Sequence, residues 1–196
     1  MGQPAGDIRY EERGCGEESP GNKGKEDVVS EPIHPQVRVA HAHLRVADLR
    51  RATDYYHDVL GFEVTMYGPD EWDVEAAFLS VGGYHHIGLN TWRSAGGTPP
   101  PEGHTGFYHF AVPYPDRREL AEAVERVLDH GHAFTGGRRT PAGEAVYLDD
   151  PDGNGPEPYY DGPRERWTDE EGKPLFDKDL FKKLDPKGLL KELGPA

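Results

Sequence analysis

The sequence contains an internal repeat of two similar segments, and each segment has a histidine as its second residue. The first segment, AHAHLRVADLRRATDYYHDVL, spans residues 40–60, and the second, YHFAVPYPDRRELAEAVERVL, spans residues 108–128. Aligned without gaps, the two segments share these pairs: His41 and His109, Asp48 and Asp116, Arg50 and Arg118, Val59 and Val127, and Leu60 and Leu128. A repeated supersecondary unit buries its apolar face against its neighbour. The chain is therefore expected to fold as two similar modules that share a core.

Apolar periodicity predicts the same element order in both copies: a strand, a helix and three further strands. Residues 37–47 alternate in polarity like a half-buried strand, Asp48 follows as a helix cap, and Gly61 is a stop signal. The remaining strands are expected at FEVTMYG, VEAAFLSVG and YHHIGLNTW in the first copy, and at residues 107–113, HAFTGG, GEAVYLDD and PEPYYD in the second. The predicted fold class is α+β, with two βαβββ modules forming a pseudo-symmetric cupped sheet around a metal site.

Composition divides the chain into modules and tails. Segments rich in Gly, Pro and charge mark linkers and arms, whereas apolar periodicity marks folded units. The expected organisation is an N-terminal arm, disordered or extended, over residues 1–36, a first module over 37–93, a linker over 94–106, a second module over 107–161 and a charged extension with short helices over 162–196.

The charge and the cysteine content narrow the possible partners and the compartment. A net charge of −14 argues against nucleic acid as a partner, because its phosphates bind clustered Lys and Arg. No run of apolar residues long enough for a membrane span and no signal-peptide pattern is found, so no membrane partner is expected. The single cysteine, Cys15, is consistent with a reducing cytoplasm.

Strand alternation predicts which side chains meet. His41 and His43 alternate with an apolar set that belongs under the helix, so they are expected on the opposite, concave face. The same alternation gives three further sets that each share one face: His86 with Gly88 and Asn90, Tyr147 with Asp149, and Glu157 with Tyr159. Two concave sheets packed side by side would bring His41, His109, His86 and Glu157 into one cup. Imidazole and carboxylate groups in one cup are typical of a transition-metal site.

Three local features lead to separate expectations. Pro156 and Pro158 flank Glu157 and cannot donate to a sheet ladder, which predicts an edge strand or a locally irregular one. His85 is expected to point to the helix side or to the rim. The run DPDGNG, residues 150–155, is similar to a cation loop but is interpreted as a turn that orients Glu157.

Two segments resemble the opening and closing signatures of the vicinal oxygen chelate superfamily: HAHLRVADLRRATDYYHDVLGFEV and AVYLDDPDGNGPEPYYDGPRERW. This superfamily includes glyoxalase I, extradiol ring-cleaving dioxygenases, and fosfomycin and bleomycin resistance proteins. The resemblance extends over about residues 37–167 and implies a fold of paired βαβββ modules, in agreement with the predicted order of elements.

The pattern is most similar to the extradiol branch, which binds Fe(II) through two histidines and one glutamate. Matched residue by residue, the resemblance implies His41, His109 and Glu157 as the ligands, and Fe(II) as the metal, with Mn(II), Ni(II) or Zn(II) as alternatives. It also implies His86 as an acid or base near bound dioxygen and Tyr147 as a hydrogen-bond partner of the substrate. The other residues expected to line the substrate pocket are His43, Asn90 and Tyr159.

The expected activity is therefore an Fe(II)-dependent extradiol-type dioxygenase of aromatic catabolism, acting on a small aromatic diol with O2. Two alternatives stay open: a glyoxalase-like metal-dependent isomerase or lyase, and a non-catalytic ligand-binding resistance protein of the same fold. Two structural questions also stay open. His86 could be a fourth ligand, and the cup could form within one chain or between swapped modules of a homodimer.

Overall fold

The computed structural model describes residues 32–175 and 180–194. The predicted N-terminal arm spans residues 1–36, and residues 1–31 of it lie outside the described range. From Val39 onward the described residues belong to one compact unit. In the described part of the chain, no helix combines the length and the apolar character that a membrane span requires.

The first module begins with a strand and a helix and continues with three strands, in the predicted order. The side chain of Asp48 accepts a hydrogen bond from the amide of Arg51 and so caps the helix. The strands are ordered β1-β4-β3-β2, and β1 runs parallel to β4. The elements are β1 Ala42–Arg45, α1 Leu49–Asp54 with a π-helical turn at Tyr55–Val59, β2 Glu63–Tyr67, α2 Gly68–Glu71, β3 Ala76–Ser80 and β4 Ile87–Asn90.

The second module repeats this arrangement. Asp116 caps its helix by accepting a hydrogen bond from the amide of Glu119. The strands are ordered β5-β8-β7-β6, and β5 runs parallel to β8. The elements are β5 Phe110–Tyr114, α3 Arg117–Asp129, β6 Gly136–Thr140, β7 Gly143–Tyr147 and β8 Pro156–Asp161. The predicted α+β fold of two βαβββ modules is confirmed.

Strand β6 lies further along the chain than the segment HAFTGG that was expected to form it. The amide of His132 donates to the carbonyl of Val127 (3.0 Å), so the chain is still leaving α3 at this point. Regular pairing with β7 begins only where Gly136 faces Tyr147.

The C-terminal extension forms a strand in addition to short helices. A 3-10 helix spans Arg164–Arg166, strand β9 spans Lys182–Lys183, and a second 3-10 helix spans Pro186–Leu193. Strand β9 pairs antiparallel with β6 and adds a fifth strand to the second sheet. Lys182 and Lys183 lie in the extension, for which only short helices were expected. They form a strand because the edge of β6 offers unpaired backbone groups.

Alternation along β1 creates the predicted division between core and cup. Leu44 and Val46 are buried in a core that covers the helix side of the first sheet, whereas His41 and His43 lie on its other face. Phe110, Val127 and Leu148 of the second module pack into this same core. The two modules therefore share one hydrophobic core.

A buried carboxylate joins the turn before β8 to the first module. Asp150 accepts hydrogen bonds from the amides of Asp152 (2.9 Å) and Asn154 (2.8 Å), and from the hydroxyl of Tyr56 (2.8 Å) on the first helix. The Arg51 guanidinium contacts Asp152 at 2.7 Å. The DPDGNG segment is thus a turn, as expected, and it positions the start of β8.

Strand β8 is internal, between β5 and β7, and not at an edge. The Leu148 amide donates to the Pro156 carbonyl (3.4 Å), so this carbonyl faces the β7 side. The amide hydrogen that Pro156 lacks would face the same side, because both backbone groups of a strand residue point to one neighbour. Regular pairing with β7 is confined to Tyr159–Asp161, beyond both prolines, whereas the pairing with β5 extends from Pro156 onward. The prolines are accommodated by this local irregularity.

Replacement of Asp150 by alanine should lower the free energy of unfolding by about 2–4 kcal/mol, because the buried hydroxyl of Tyr56 and two amides lose their acceptor. Urea unfolding followed by circular dichroism measures this loss. Asp149→Ala is the matched control, since the Asp149 side chain is exposed. Equal losses in the two variants would show that the buried carboxylate does not join the modules.

Candidate metal centre

Two of the three predicted ligands meet on the concave face of the second module. His109 precedes β5, and Glu157 lies on the neighbouring strand β8. Their side chains are in contact, with 3.0 Å between His109 Nε2 and Glu157 Oε2. The Glu157 side chain is 8% exposed, whereas that of His109 is 35% exposed. A buried carboxylate beside a partly open imidazole provides two donors that can bind one cation from the solvent side.

Two further side chains hold the Glu157 carboxylate. Tyr147 on β7 is hydrogen-bonded to Glu157. Burial, then this hydrogen bond and the charge of Glu157, raise the pKa of Tyr147 to about 12. The phenol is therefore protonated at neutral pH and acts as the donor. Arg138 Nη2 lies 3.9 Å from the other carboxylate oxygen, Oε1. His109, Tyr147 and Arg138 thus restrict the orientation of the Glu157 carboxylate.

The third predicted ligand, His41, belongs to a cluster of aromatic rings in the first module. Its ring centroid lies 4.7 Å from that of His85 and 6.1 Å from that of His43. His43 in turn packs edge-on against Phe78 at 5.7 Å. The pKa of His43 is lowered by burial and then by the neighbouring His41, which favours the neutral imidazole.

His43 also depends on a glycine beneath its ring. A Cβ atom at Gly88 would lie 2.9 Å from His43 Cγ, so a larger residue on β4 would displace the imidazole. The concave face of the first sheet is therefore shaped around His43. That His43 lines the substrate pocket stays a prediction.

His85, and not His86, packs against His41. The His85 ring lies 4.5 Å from Phe78, on the concave face, whereas the exposed His86 receives a hydrogen bond from the Val81 amide at Nδ1. The acid–base role assigned to His86 stays a prediction.

The cause of this difference is a break in strand alternation at His86. Its amide donates to Leu79 on β3, but its carbonyl accepts from Ala42 on β1. In a regular strand both groups of a residue face the same neighbour. The alternation of β4 therefore cannot be extended back through His86 to His85.

The two halves of the predicted site belong to two different cavities. Ala111 on β5 lines a cavity of about 320 Å³ with His41, and another of about 270 Å³ with Glu157. Among the described residues, however, no three His, Cys, Asp or Glu side chains converge as a metal-binding group. His109 and Glu157 thus fit two ligand positions of a divalent cation, and His41 is the candidate for the third.

The remaining predicted pocket residues are divided between the modules. Tyr159 lines the 270 Å³ cavity together with Glu157, whereas Asn90 is buried at the end of β4. Burial and the nearby charges of Asp161 and Glu157 raise the pKa of Tyr159. Sequence reasoning did not place Arg138 beside Glu157. Its alternation with Gly136 on β6 would have indicated the shared face, had the strand been located correctly.

The comparisons with known proteins identify the family of this two-module protein. Residues 38–157 match the model of the Glyoxalase/Bleomycin resistance protein/Dioxygenase superfamily, and the chain belongs to this superfamily. The chain is 36% identical over 163 residues to a catechol-2,3-dioxygenase of Bacillus subtilis (strain 168). The match covers 83% of this chain and 54% of the relative, so the chain spans about half the length of that protein.

Solved structures show the same fold. A glyoxalase/dioxygenase from Nostoc punctiforme aligns with a TM-score of 0.56 at 23% identity, over 69% of this chain and 99% of that chain. Lactoylglutathione lyase from Agrobacterium tumefaciens aligns with a TM-score of 0.51 at 24% identity, over 65% and 96% of the respective chains. Their different names show that this fold supports more than one activity.

Replacement of Tyr147 by phenylalanine should weaken divalent-metal binding by about 10- to 100-fold, as is typical when a ligand loses its hydrogen-bond partner. Anaerobic equilibrium dialysis of the full chain with Fe(II) or Co(II) measures the affinity. Tyr114→Phe is the control, because Tyr114 packs against the core under α3. An unchanged affinity in Tyr147→Phe would mean that the orientation of Glu157 does not limit metal binding.

Proposed function

We propose that this protein is an Fe(II)-dependent, extradiol-type dioxygenase that cleaves the ring of a catechol-like aromatic, with His41, His109 and Glu157 as metal ligands. The observation that carries the proposal is the 3.0 Å contact between His109 and the buried Glu157, with Tyr147 hydrogen-bonded to the same carboxylate. The similarity to the Bacillus subtilis catechol-2,3-dioxygenase supports this choice of reaction.

The proposed donor set is suited to this chemistry. Two neutral imidazoles and one carboxylate leave Fe(II) with net positive charge and open positions at which catechol oxygens and O2 can be brought together. The chain's own residues would hold and orient the reactants. Glu157 is kept in place by Tyr147, and Tyr159 and Arg138 form a wall of the cavity beside it.

Proton transfer is assigned to the histidine pair that precedes β4. The resemblance implies His86, but His85 is the member whose ring packs against His41. A residue that moves a proton must lie within reach of the reacting group. The ring contact with His41 supports His85 for this role, whereas His86 lines the cavity that contains His41.

The third ligand is proposed to come from the same chain as the other two. Ala111 lines both the cavity that contains His41 and the cavity that contains Glu157. A homodimer with exchanged modules is the alternative arrangement.

Reconstitution with Fe(II) under anaerobic conditions, followed by a panel of catechols and O2, should give oxygen uptake and a yellow ring-opened product. Glu157→Gln should abolish both signals, whereas Glu63→Gln, at an exposed position on β2, should retain them. No oxygen uptake with any catechol, together with turnover of a thiohemiacetal with Ni(II) or Zn(II), would replace this proposal with an isomerase of the glyoxalase kind.

The alanine variants of the two histidines should differ. His85→Ala is expected to bind Fe(II) normally and to lose turnover by about 10²- to 10⁴-fold, the usual range for a general acid or base. His86→Ala should retain most activity. Metal content and kcat measured on the same samples separate loss of a ligand from loss of a proton carrier, and the opposite result would assign the role to His86.

Mixing two inactive variants tests where the third ligand comes from. Glu157→Gln and His41→Ala should stay inactive after they are mixed, partly unfolded and refolded together, because each chain lacks part of its own site. Recovery of oxygen uptake on mixing would show instead that one chain provides His41 to the other, as in a module-exchanged homodimer.

A further inference from the structure

The C-terminal extension encloses a second cavity beside the candidate metal centre. This cavity, about 370 Å³, is bounded by Trp167, Leu175, Leu180 and Phe181 of the extension and by residues of β6 and β8. The extension begins after the segment that matches the superfamily, which ends at residue 157. The cavity is therefore lined about equally by the second module and by an extension that lies outside the family match.

The part of the extension that carries Trp167 and Leu175 is firmly attached to the second module. The Leu175 amide donates to the Trp167 carbonyl (2.8 Å), and Trp167 Nε1 donates to the carbonyl of Gly162 (3.2 Å) just after β8. Thr168 and Pro174 form a bridge between the two sides of this hairpin. The apolar wall is thus held both by backbone hydrogen bonding and by the indole N–H of Trp167.

The other wall is held by β9 and the final 3-10 helix. Phe181 directly precedes β9, which pairs with β6. Leu184 and Leu189 then enter a core with Leu120 and Val124 of α3. Despite this attachment, Leu175 is 48% exposed and Phe181 is 40% exposed. The anchored walls therefore leave apolar surface available to a ligand.

This cavity adjoins the one that contains Glu157. Four residues line both cavities: Arg138, Thr140, Ala142 and Asp161. Arg138 connects them physically, since its guanidinium lies 3.9 Å from Glu157 and 5.0 Å over the ring of Phe181. A ligand that extended from Glu157 past Arg138 would reach Phe181.

The charges in the cavity indicate what kind of group it accepts. Arg138 is already opposed by the Glu157 carboxylate, and the acidic Asp161 lines the same space. An additional anionic group would have to compete with both carboxylates. The remaining walls are aromatic and aliphatic, and even an apolar cavity of about 150 Å³ can bind benzene. An uncharged, bulky apolar group fits these walls best.

We propose that the cavity under the C-terminal extension binds the apolar substituent of the substrate, so that the substrate is a catechol with an uncharged aryl or branched-alkyl group. The inference rests on the proposed dioxygenase function, with the ring diol placed beside His109 and Glu157. The family-wide part of the chain would then position the diol, and the extension would select the substituent.

Binding of 4-tert-butylphenol tests the cavity without turnover, because this probe carries the apolar group but no diol. Calorimetric titration of the full chain should show about tenfold tighter binding of 4-tert-butylphenol than of phenol, within the range that an apolar pocket gives for added carbon atoms. Phe181→Ala and Leu175→Ala should reduce this ratio toward one, and Phe181→Leu should restore most of it. Trp72→Ala, at an exposed aromatic residue that lines neither cavity, should leave it unchanged.

A wild-type protein that binds both phenols equally, or a ratio unaffected by the Phe181 and Leu175 variants, would overturn the inference. The Fe(II)-loaded protein gives a second measurement, since kcat/KM for 4-tert-butylcatechol relative to catechol should fall in the same variants. If the binding preference is found and depends on Phe181, but no catechol is turned over, the apolar subsite stands and the dioxygenase proposal fails.

Discussion

The buried hydrogen bond between Tyr56 and Asp150 is the interaction on which the arrangement of the two modules depends most directly. Tyr56 is fully buried in the shared core, and its hydroxyl reaches across to the turn that precedes β8. Burial, and then the charge of Asp150, raise the pKa of Tyr56, so the hydroxyl is held as a donor. A buried donor without its acceptor is costly, which ties the turn to the first helix.

This attachment has a direct consequence for the candidate metal centre. Glu157 follows the turn by a few residues, and its carboxylate is buried on the opposite side of the sheet from the core. A buried carboxylate needs partners to offset its loss of hydration. Tyr147, Arg138 and His109 are those partners in the structure. A cation bound by Glu157 would find a carboxylate that is already oriented, and it would compete mainly with the contact to His109.

The features that could be predicted from the sequence are those that follow from regular alternation. The opposite faces of His43 and Leu44 on β1, and the face shared by Glu157 and Tyr159 on β8, follow from the two-residue period of a strand. His85 could not be placed in this way because the hydrogen bonds of His86 point to different strands. The internal position of β8 could not be predicted either, because it depends on where the hydrogen-bonded pairing between β7 and β8 begins.

The C-terminal extension was hard to predict for a different reason. Its strand β9 is only two residues long and has little pattern of its own, so its conformation follows from the free edge of β6. Pairing there places Phe181 against Arg138, which is also a neighbour of Glu157. A segment outside the family match thus reaches the centre that the family match contains. In a superfamily where one fold supports several activities, such a segment can change which molecule is bound while the His109–Glu157 pair is retained.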